Sequence, residues 1–238
     1  MANQALFAEL PKGSISEIIT RRITDALLRG ELKPGDKIPT EMEFSEKLKV
    51  SRNAVREAVK GLAAFGVLEV RRSEGTFVVK EYNQKLLDPL LYGLILSDHS
   101  IKELLEFKLG IAASLLYLAI LNASEEEIRE LRRRGEAFRA VMRENPVNID
   151  QAYEASLTFN KYLSGMTHNC MQERLGEIVD QIATFTRRKA IEVSIERGMP
   201  EVLPDNYLEE VALLERREKE SVAQFMDQRL KIWQNLLM

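Results

Sequence analysis

The stretch TEMEFSEKLKVSRNAVREAVKGL, residues 40–62, decides the fold of the N-terminal part of this chain. Thr40 followed three residues later by Glu43 is a capping box, so a short helix is expected from Glu41 to Lys47 or Leu48. After the Lys49-Val50 link, Ser51 is the next cap, ahead of a helix from Arg52 to about Phe65 that Gly66 ends. On a wheel of about 100° per residue this second helix divides cleanly. Ala54, Val55, Ala58, Val59 and Leu62 fill one side, and Arg52, Asn53, Arg56 and Lys60 the other. Phe44 and Leu48 of the short helix are placed to pack on the apolar side. This is a helix-turn-helix, whose second helix lies in the major groove with its N-terminal residues at the base edges. Arg can bind guanine O6 and N7 with two hydrogen bonds, and Asn can do the same for adenine N6 and N7.

The flanking sequence agrees with that reading. Ile15, Ile18, Ile19, Ile23, Ala26 and Leu27 recur at helical spacing, which predicts a first helix from about Ser14 to Arg29 ended by Gly30. Leu32-Lys33-Pro34-Gly35-Asp36 reads as a turn. Beyond the recognition helix, Val67 to Arg72 and Thr76 to Val79 are two β-rich runs around Ser73-Glu74-Gly75, the form of a hairpin. Arg71 and Arg72 lie just before its tip, where a wing meets an adjacent groove or phosphate; Glu74 opposes deep insertion of that tip.

From Leu86 onward the pattern is helical throughout. Helices are expected at Leu86 to Leu96, Ile101 to Leu121, Glu125 to Arg143, Asp150 to Met166, Met171 to Arg197, Tyr207 to Arg217 and Ser221 to Leu237. Ser100 and Ser124 are N-cap candidates, and Pro200 with Pro204 mark a loop. The chain is thus mainly α: a winged helix-turn-helix over 1–80, a linker at 81–85 and an all-α bundle over 86–238. Charge differs between the parts, with 14 Lys and Arg against 11 Asp and Glu in residues 1–80 and 20 against 26 in the remainder. A small basic module joined to a larger acidic one fits a polyanion as partner of the first alone.

Composition narrows the chemistry. The single cysteine, Cys170, excludes an internal disulfide framework and a multi-Cys zinc module, and fits a reducing cytoplasm. The longest apolar run, Ile111 to Leu121, falls short of the roughly 18 residues of a membrane helix, and the first residues carry no export pattern. With two histidines, no Gly-rich phosphate loop and no Ser/His/Asp arrangement, no catalytic constellation is visible and no cofactor is expected.

The stretch LKPGDKIPTEMEFSEKLKVSRNAVREAVKGLAAFGVLEVRRSEGTFV resembles the winged helix-turn-helix of GntR-type bacterial transcription regulators, most specifically in LKPGDKIPTE and VSRNAVREAVKGL. The resemblance implies DNA contacts from Ser51, Arg52, Asn53 and Arg56 and from the wing near Arg72 and Gly75. Thr40, Lys60 and Arg71 complete the candidate DNA surface. Met42 stands where many members have a DNA-contacting Arg, and Ser73-Glu74 replaces a Gly-rich tip, so the operator sequence differs from the familiar ones.

The helical half resembles the effector-binding and dimerising domain of the FadR subgroup, through LLEFKLGIAASLLYLAI and FNKYLSGMTHN. In many members an Asp and three His there bind a divalent metal that helps hold a small carboxylate. The corresponding positions here are Ser156, Asn160, approximately Tyr207, and Arg229. Such a set does not suit a divalent ion, since Arg cannot donate a lone pair, and no metal is expected. The resemblance still implies a cavity: Arg229 in the space of the missing cation, Lys108 as a second charge, and neutral hydrogen bonds from Ser156, Asn160 and Tyr207. The ligand so implied is a small or acyl-linked organic acid. The expected protein is a cytoplasmic homodimer, probing a palindromic DNA operator under control of an anionic metabolite, with no enzyme activity and no membrane contact. The alternative reading is a winged-helix protein whose bundle serves only dimerisation or protein interaction.

Overall fold

The structure is a computed structural model that describes residues 14–80 and 100–238. It falls into two compact units. The expected linker at 81–85 and the expected helix from Leu86 to Leu96 lie outside the described residues.

In the first unit α1 (Ile15–Leu28), α2 (Glu41–Leu48) and α3 (Arg52–Ala64) are followed by β1 (Leu68–Arg71) and β2 (Gly75–Val78). The local signals act as expected. Thr40 and Glu43 close a reciprocal capping box on α2, and Ser51 caps α3 by accepting from the Ala54 amide. The tight turn between them puts Lys49 in the left-handed region, with φ of 54°. Gly66, at φ of 77°, turns the chain from α3 into β1 in a conformation that favours glycine. The strands pair antiparallel with Leu68 opposite Val78 and Arg71 opposite Gly75. One core joins them: Ile19 and Ile23 of α1, Phe44 of α2, Val55, Val59 and Leu62 of α3, and Leu68 and Val78 of the hairpin. The apolar face of α3 is therefore consumed by packing, which leaves its basic face outward.

The second unit is all α: α4 (Ile101–Asn122), α5 (Glu125–Met142), α6 (Ile149–Gly165), α7 (Cys170–Ile182), α8 (Thr184–Glu196), α9 (Val202–Arg216) and α10 (Val222–Leu237), with a 3-10 turn at Lys219–Ser221. Ser100 and Ser124 each close a capping box, with Glu103 and Glu127. Two expectations are corrected. The single helix expected from Met171 to Arg197 is two helices broken at Ala183, where hydroxyls turn back to the backbone: Thr184 donates to the Asp180 carbonyl and Thr186 to the Ala183 carbonyl. Pro204 is not in a loop but in the first turn of α9, where a missing amide hydrogen costs nothing.

α4 is long and apolar enough by length and composition to cross a membrane, which counting an uninterrupted run missed because Lys108 interrupts the apolar stretch ahead of Ile111. It packs instead against α6, α7, α9 and α10 and buries Leu105, Leu115, Leu116, Ala119 and Ile120 in the bundle core. Close approach of α7 to α6 depends on Gly176, since a Cβ there would lie 2.3 Å from Ser164 Oγ.

Candidate DNA-reading face and effector cavity

On α3, Arg52, Asn53, Arg56 and Lys60 are all exposed, one turn apart along the face opposite the core. Arg56 donates through Nη2 to the Asn53 side-chain carbonyl at 2.8 Å, which orients the amide and leaves its NH2 donor group directed away from Arg56. Lys60 Nζ is 3.7 Å from Glu57 in a solvent-exposed pair. Such pairs contribute little to stability and are readily exchanged for a phosphate. Thr40 and Ser51 are exposed, but their hydroxyls are engaged as caps. On the hairpin, Arg71 is held by Glu69 at 3.0 Å and stacks on the Phe77 ring at 4.7 Å, while Arg72 is exposed at the turn. Gly75 has φ of 123°, and a Cβ there would run into the Lys37 side chain at 2.5 Å. Its role is to let the chain turn beside Lys37 rather than to supply a contacting group.

In the helical unit, Lys108, Asn160, Tyr207 and Arg229 line one cavity of about 50 Å3, formed by α4, α6, α7, α8, α9 and α10. At roughly 10–15 Å3 per water this holds a few waters or a small organic molecule. Ser156 lies behind the wall and shares its hydroxyl with Tyr207 at 2.9 Å. Asn160 Nδ2 donates to the Tyr207 hydroxyl at 3.0 Å and to the Ser156 carbonyl at 2.8 Å. The Tyr207 ring is stacked on Phe159 with centroids 4.7 Å apart, which holds that network in place.

The cavity also contains residues that sequence reasoning missed. Asp180 and Arg187 form a buried ion pair across the break between α7 and α8. Glu210 of α9 lies 2.8 Å from Arg229 of α10, with both side chains almost fully buried. The expectation that Arg229 stands ready for an anion is thereby corrected: a carboxylate of the chain already faces it. A signal was present, because Glu210 sits on the apolar stripe of α9 with Leu203, Tyr207, Val211 and Leu214, and a charge on such a stripe requires a partner. Burial pushes the Glu210 carboxyl up from its usual range, with Arg229 opposing, and raises Asp180 likewise against Arg187.

Among the described residues Lys108 has no such carboxylate. Its Nζ donates to the Thr186 hydroxyl at 3.3 Å and lies 4.0 Å from the centre of the Trp233 ring. Burial, together with the Arg187 and Arg229 guanidinium groups, holds its ammonium well below the usual lysine range, and Asp180 opposes only in part. The polar end of the cavity carries one further hallmark of a binding site: Nη1 of Arg187 is buried without a hydrogen-bond acceptor among the described residues. The opposite wall is apolar, with Leu105, Leu109, Ala112, Leu115 and Val179. A divalent metal does not fit: both carboxylates are matched by guanidinium groups, and no histidine lines the cavity among the described residues. Among the described residues no group of three His, Cys, Asp or Glu side chains forms a metal cluster.

Residues 15–78 match the model of the bacterial regulatory proteins of the gntR family. These residues form a GntR-family helix-turn-helix domain. The HTH-type transcriptional regulator LutR of Bacillus subtilis is 33% identical over 102 residues, 43% of this chain and 47% of that protein. The putative L-lactate dehydrogenase operon regulatory protein of Escherichia coli is 28% identical over 159 residues, 65% of this chain and 59% of that protein. The matched stretches thus span about half the length of the curated relatives. A solved structure, Streptococcus agalactiae GntR, superposes with a TM-score of 0.58 at 20% identity, covering 91% of this chain and 97% of that one, which shows the fold.

Proposed function

We propose that this chain is a GntR-family DNA-binding transcription regulator of the FadR subgroup, a repressor whose operator affinity is set by a small organic acid held in the cavity of the helical unit. It acts in the cytoplasm as a homodimer on a palindromic site and is neither an enzyme nor a membrane protein. The observation that carries the reading is the family domain with its exposed Arg52, Asn53, Arg56 and Lys60 face, joined in one chain to a bundle enclosing a cavity with convergent cations. The face supplies base readout from Arg and Asn and phosphate attraction from Lys. Two readers related by a two-fold axis match two half-sites one helical turn apart and combine their affinities. The effector controls DNA only if it binds one arrangement of the two readers better than the other.

The names of relatives support the effector class: one is a regulator of an L-lactate dehydrogenase operon. The test is fluorescence anisotropy of the full chain on the DNA upstream of its own gene, with and without organic acids, L-lactate first. Wild type binds with strong salt dependence and Arg56→Ala binds at least about fivefold more weakly; at least one acid changes the affinity about fivefold or more. Unchanged affinity in Arg56→Ala overturns the reader assignment. Intact DNA binding that no acid alters leaves the bundle as a dimerisation element only.

A further inference from the structure

We propose that the cavity recognises its anion without a metal, and that Lys108 gains a proton and a carboxylate partner together when the anion enters. This rests on the reading of the cavity as the effector site, and it concerns how the charge is handled there. Three cationic side chains, Lys108, Arg187 and Arg229, line the cavity against two carboxylates, Asp180 and Glu210. Each guanidinium faces its own carboxylate, Arg187 with Asp180 and Arg229 with Glu210. Lys108 faces a hydroxyl, Thr186, and an aromatic ring, Trp233, which stabilise a cation far less than a carboxylate does.

The empty cavity is electrically balanced only with Lys108 neutral. Burial and two neighbours favour that state: Arg187 on α8 and Arg229 on α10 repel a third positive charge, and burial removes water from it. Asp180 on α7 attracts but is committed to Arg187, and Glu210 on α9 is committed to Arg229. The hydroxyl of Tyr207 on α9 and the amide of Asn160 on α6 are engaged with each other. A monocarboxylate entering this space brings one negative charge, and the cavity returns to balance when Lys108 takes a proton from solvent. The unsatisfied Nη1 group of Arg187 supplies a further donor to the same oxygens. A dianion would need a second proton or leave one charge unmatched, so the site prefers monoanions. The apolar wall of Leu105, Leu109, Ala112, Leu115 and Val179 accepts a short carbon chain.

Linkage sets the sign. Between the Lys108 pKa of the empty cavity and the higher value of the filled one, each bound anion takes up close to one proton, and affinity falls about tenfold per pH unit as pH rises. Below the lower value Lys108 is already protonated and affinity is constant.

The experiment is isothermal titration of the full chain with acetate, propionate, butyrate, L-lactate and malonate in EDTA, across pH and in two buffers of different ionisation heat. We expect at least one monocarboxylate to bind one per chain, with net proton uptake and at least tenfold preference over malonate. Lys108→Met weakens that binding at least tenfold and abolishes proton uptake. Lys108→Arg, which stays protonated, retains binding that no longer depends on pH. Circular dichroism and unfolding of each variant identify any that fails to fold, and the wild-type proton count stands without them. Binding with no proton uptake, uptake that persists in Lys108→Met, or binding lost in EDTA and restored by zinc or manganese overturns the inference. If none of these acids binds while another metabolite still releases DNA, the inference falls and the effector reading stands. If DNA affinity responds to no metabolite, both fall.

Discussion

Replacing Arg229 by Met tests the electrostatic core of the helical unit. Arg229 Nη1 stands 2.8 Å from Glu210 Oε2, and the two side chains are 6% and 1% exposed. At that separation the attraction is about 6 kcal/mol for an effective dielectric of about 20. Removing two ions from water takes back several kcal/mol, so the intact pair contributes little net stability over an apolar pair of the same volume. Half a pair is different. Without Arg229, Glu210 either remains a bare buried carboxylate or takes a proton, and burial already pushes its pKa up. Protonating a carboxyl of ordinary pKa at pH 7 costs roughly 3.5 kcal/mol, which is the ceiling on the electrostatic loss. In the variant the folded-state pKa of Glu210 lies above its unfolded value. The penalty is therefore smallest below the unfolded pKa and grows by up to about 1.4 kcal/mol per pH unit as pH rises toward the folded one.

Trp233, the single tryptophan, lines the same cavity and reports on urea unfolding by fluorescence. At fixed protein concentration Arg229→Met should lose about 3 kcal/mol at pH 7 and recover about 2 kcal/mol of that at pH 5. Arg229→Met combined with Glu210→Leu should regain most of the loss, because no buried charge is left unmatched. A loss below about 1 kcal/mol at pH 7, a loss independent of pH, or a double variant no more stable than the single one would refute the reasoning.

Other expectations follow from the same geometry. Arg56→Ala should weaken DNA binding by about 1–3 kcal/mol, and Lys60→Ala should weaken it uniformly across sequences and lower the salt slope by about 1, both read by anisotropy titrations over a range of salt. Thr40→Ala, which removes the hydroxyl arm of the capping box on α2 and leaves the residue 40 amide donating to Glu43, should cost about 1 kcal/mol in calorimetric stability, and Thr40→Ser should cost almost nothing. Gly176→Ala forces a methyl group against Ser164 and should destabilise the bundle by about 1–3 kcal/mol in urea, with Ser164→Ala recovering part of it.

Much of the first unit was legible in the chain because its signals are local. Thr40 with Glu43, Ser51, Gly66 and the period of Val55, Val59 and Leu62 each act within one or two turns, and each stands where the spacing predicts. The basic face of α3 follows directly, since a helix with one apolar stripe has its other side outward. In the bundle the helices were equally legible, but two details were not. The break at Ala183 depends on hydroxyls turning back to carbonyls, and Pro204 is tolerated because only the first turn of a helix can spare its amide.

The cavity divides the same way. Family resemblance placed Lys108, Asn160, Tyr207 and Arg229 together, and the structure brings all four to one space. The expectation of no metal rested on Ser156, Asn160, Tyr207 and Arg229, and it did not see the two carboxylates, Asp180 and Glu210, that also line the cavity. Which charge is spoken for was decided only in three dimensions. Glu210 meets Arg229 across 19 residues of sequence, and Asp180 meets Arg187 across a helix break, so Arg229 is matched and Lys108 is left without a carboxylate among the described residues. Capping and amphipathicity are short-range properties that a sequence encodes position by position. The balance of buried charge is a sum over neighbours from several helices, and only packing chooses those neighbours.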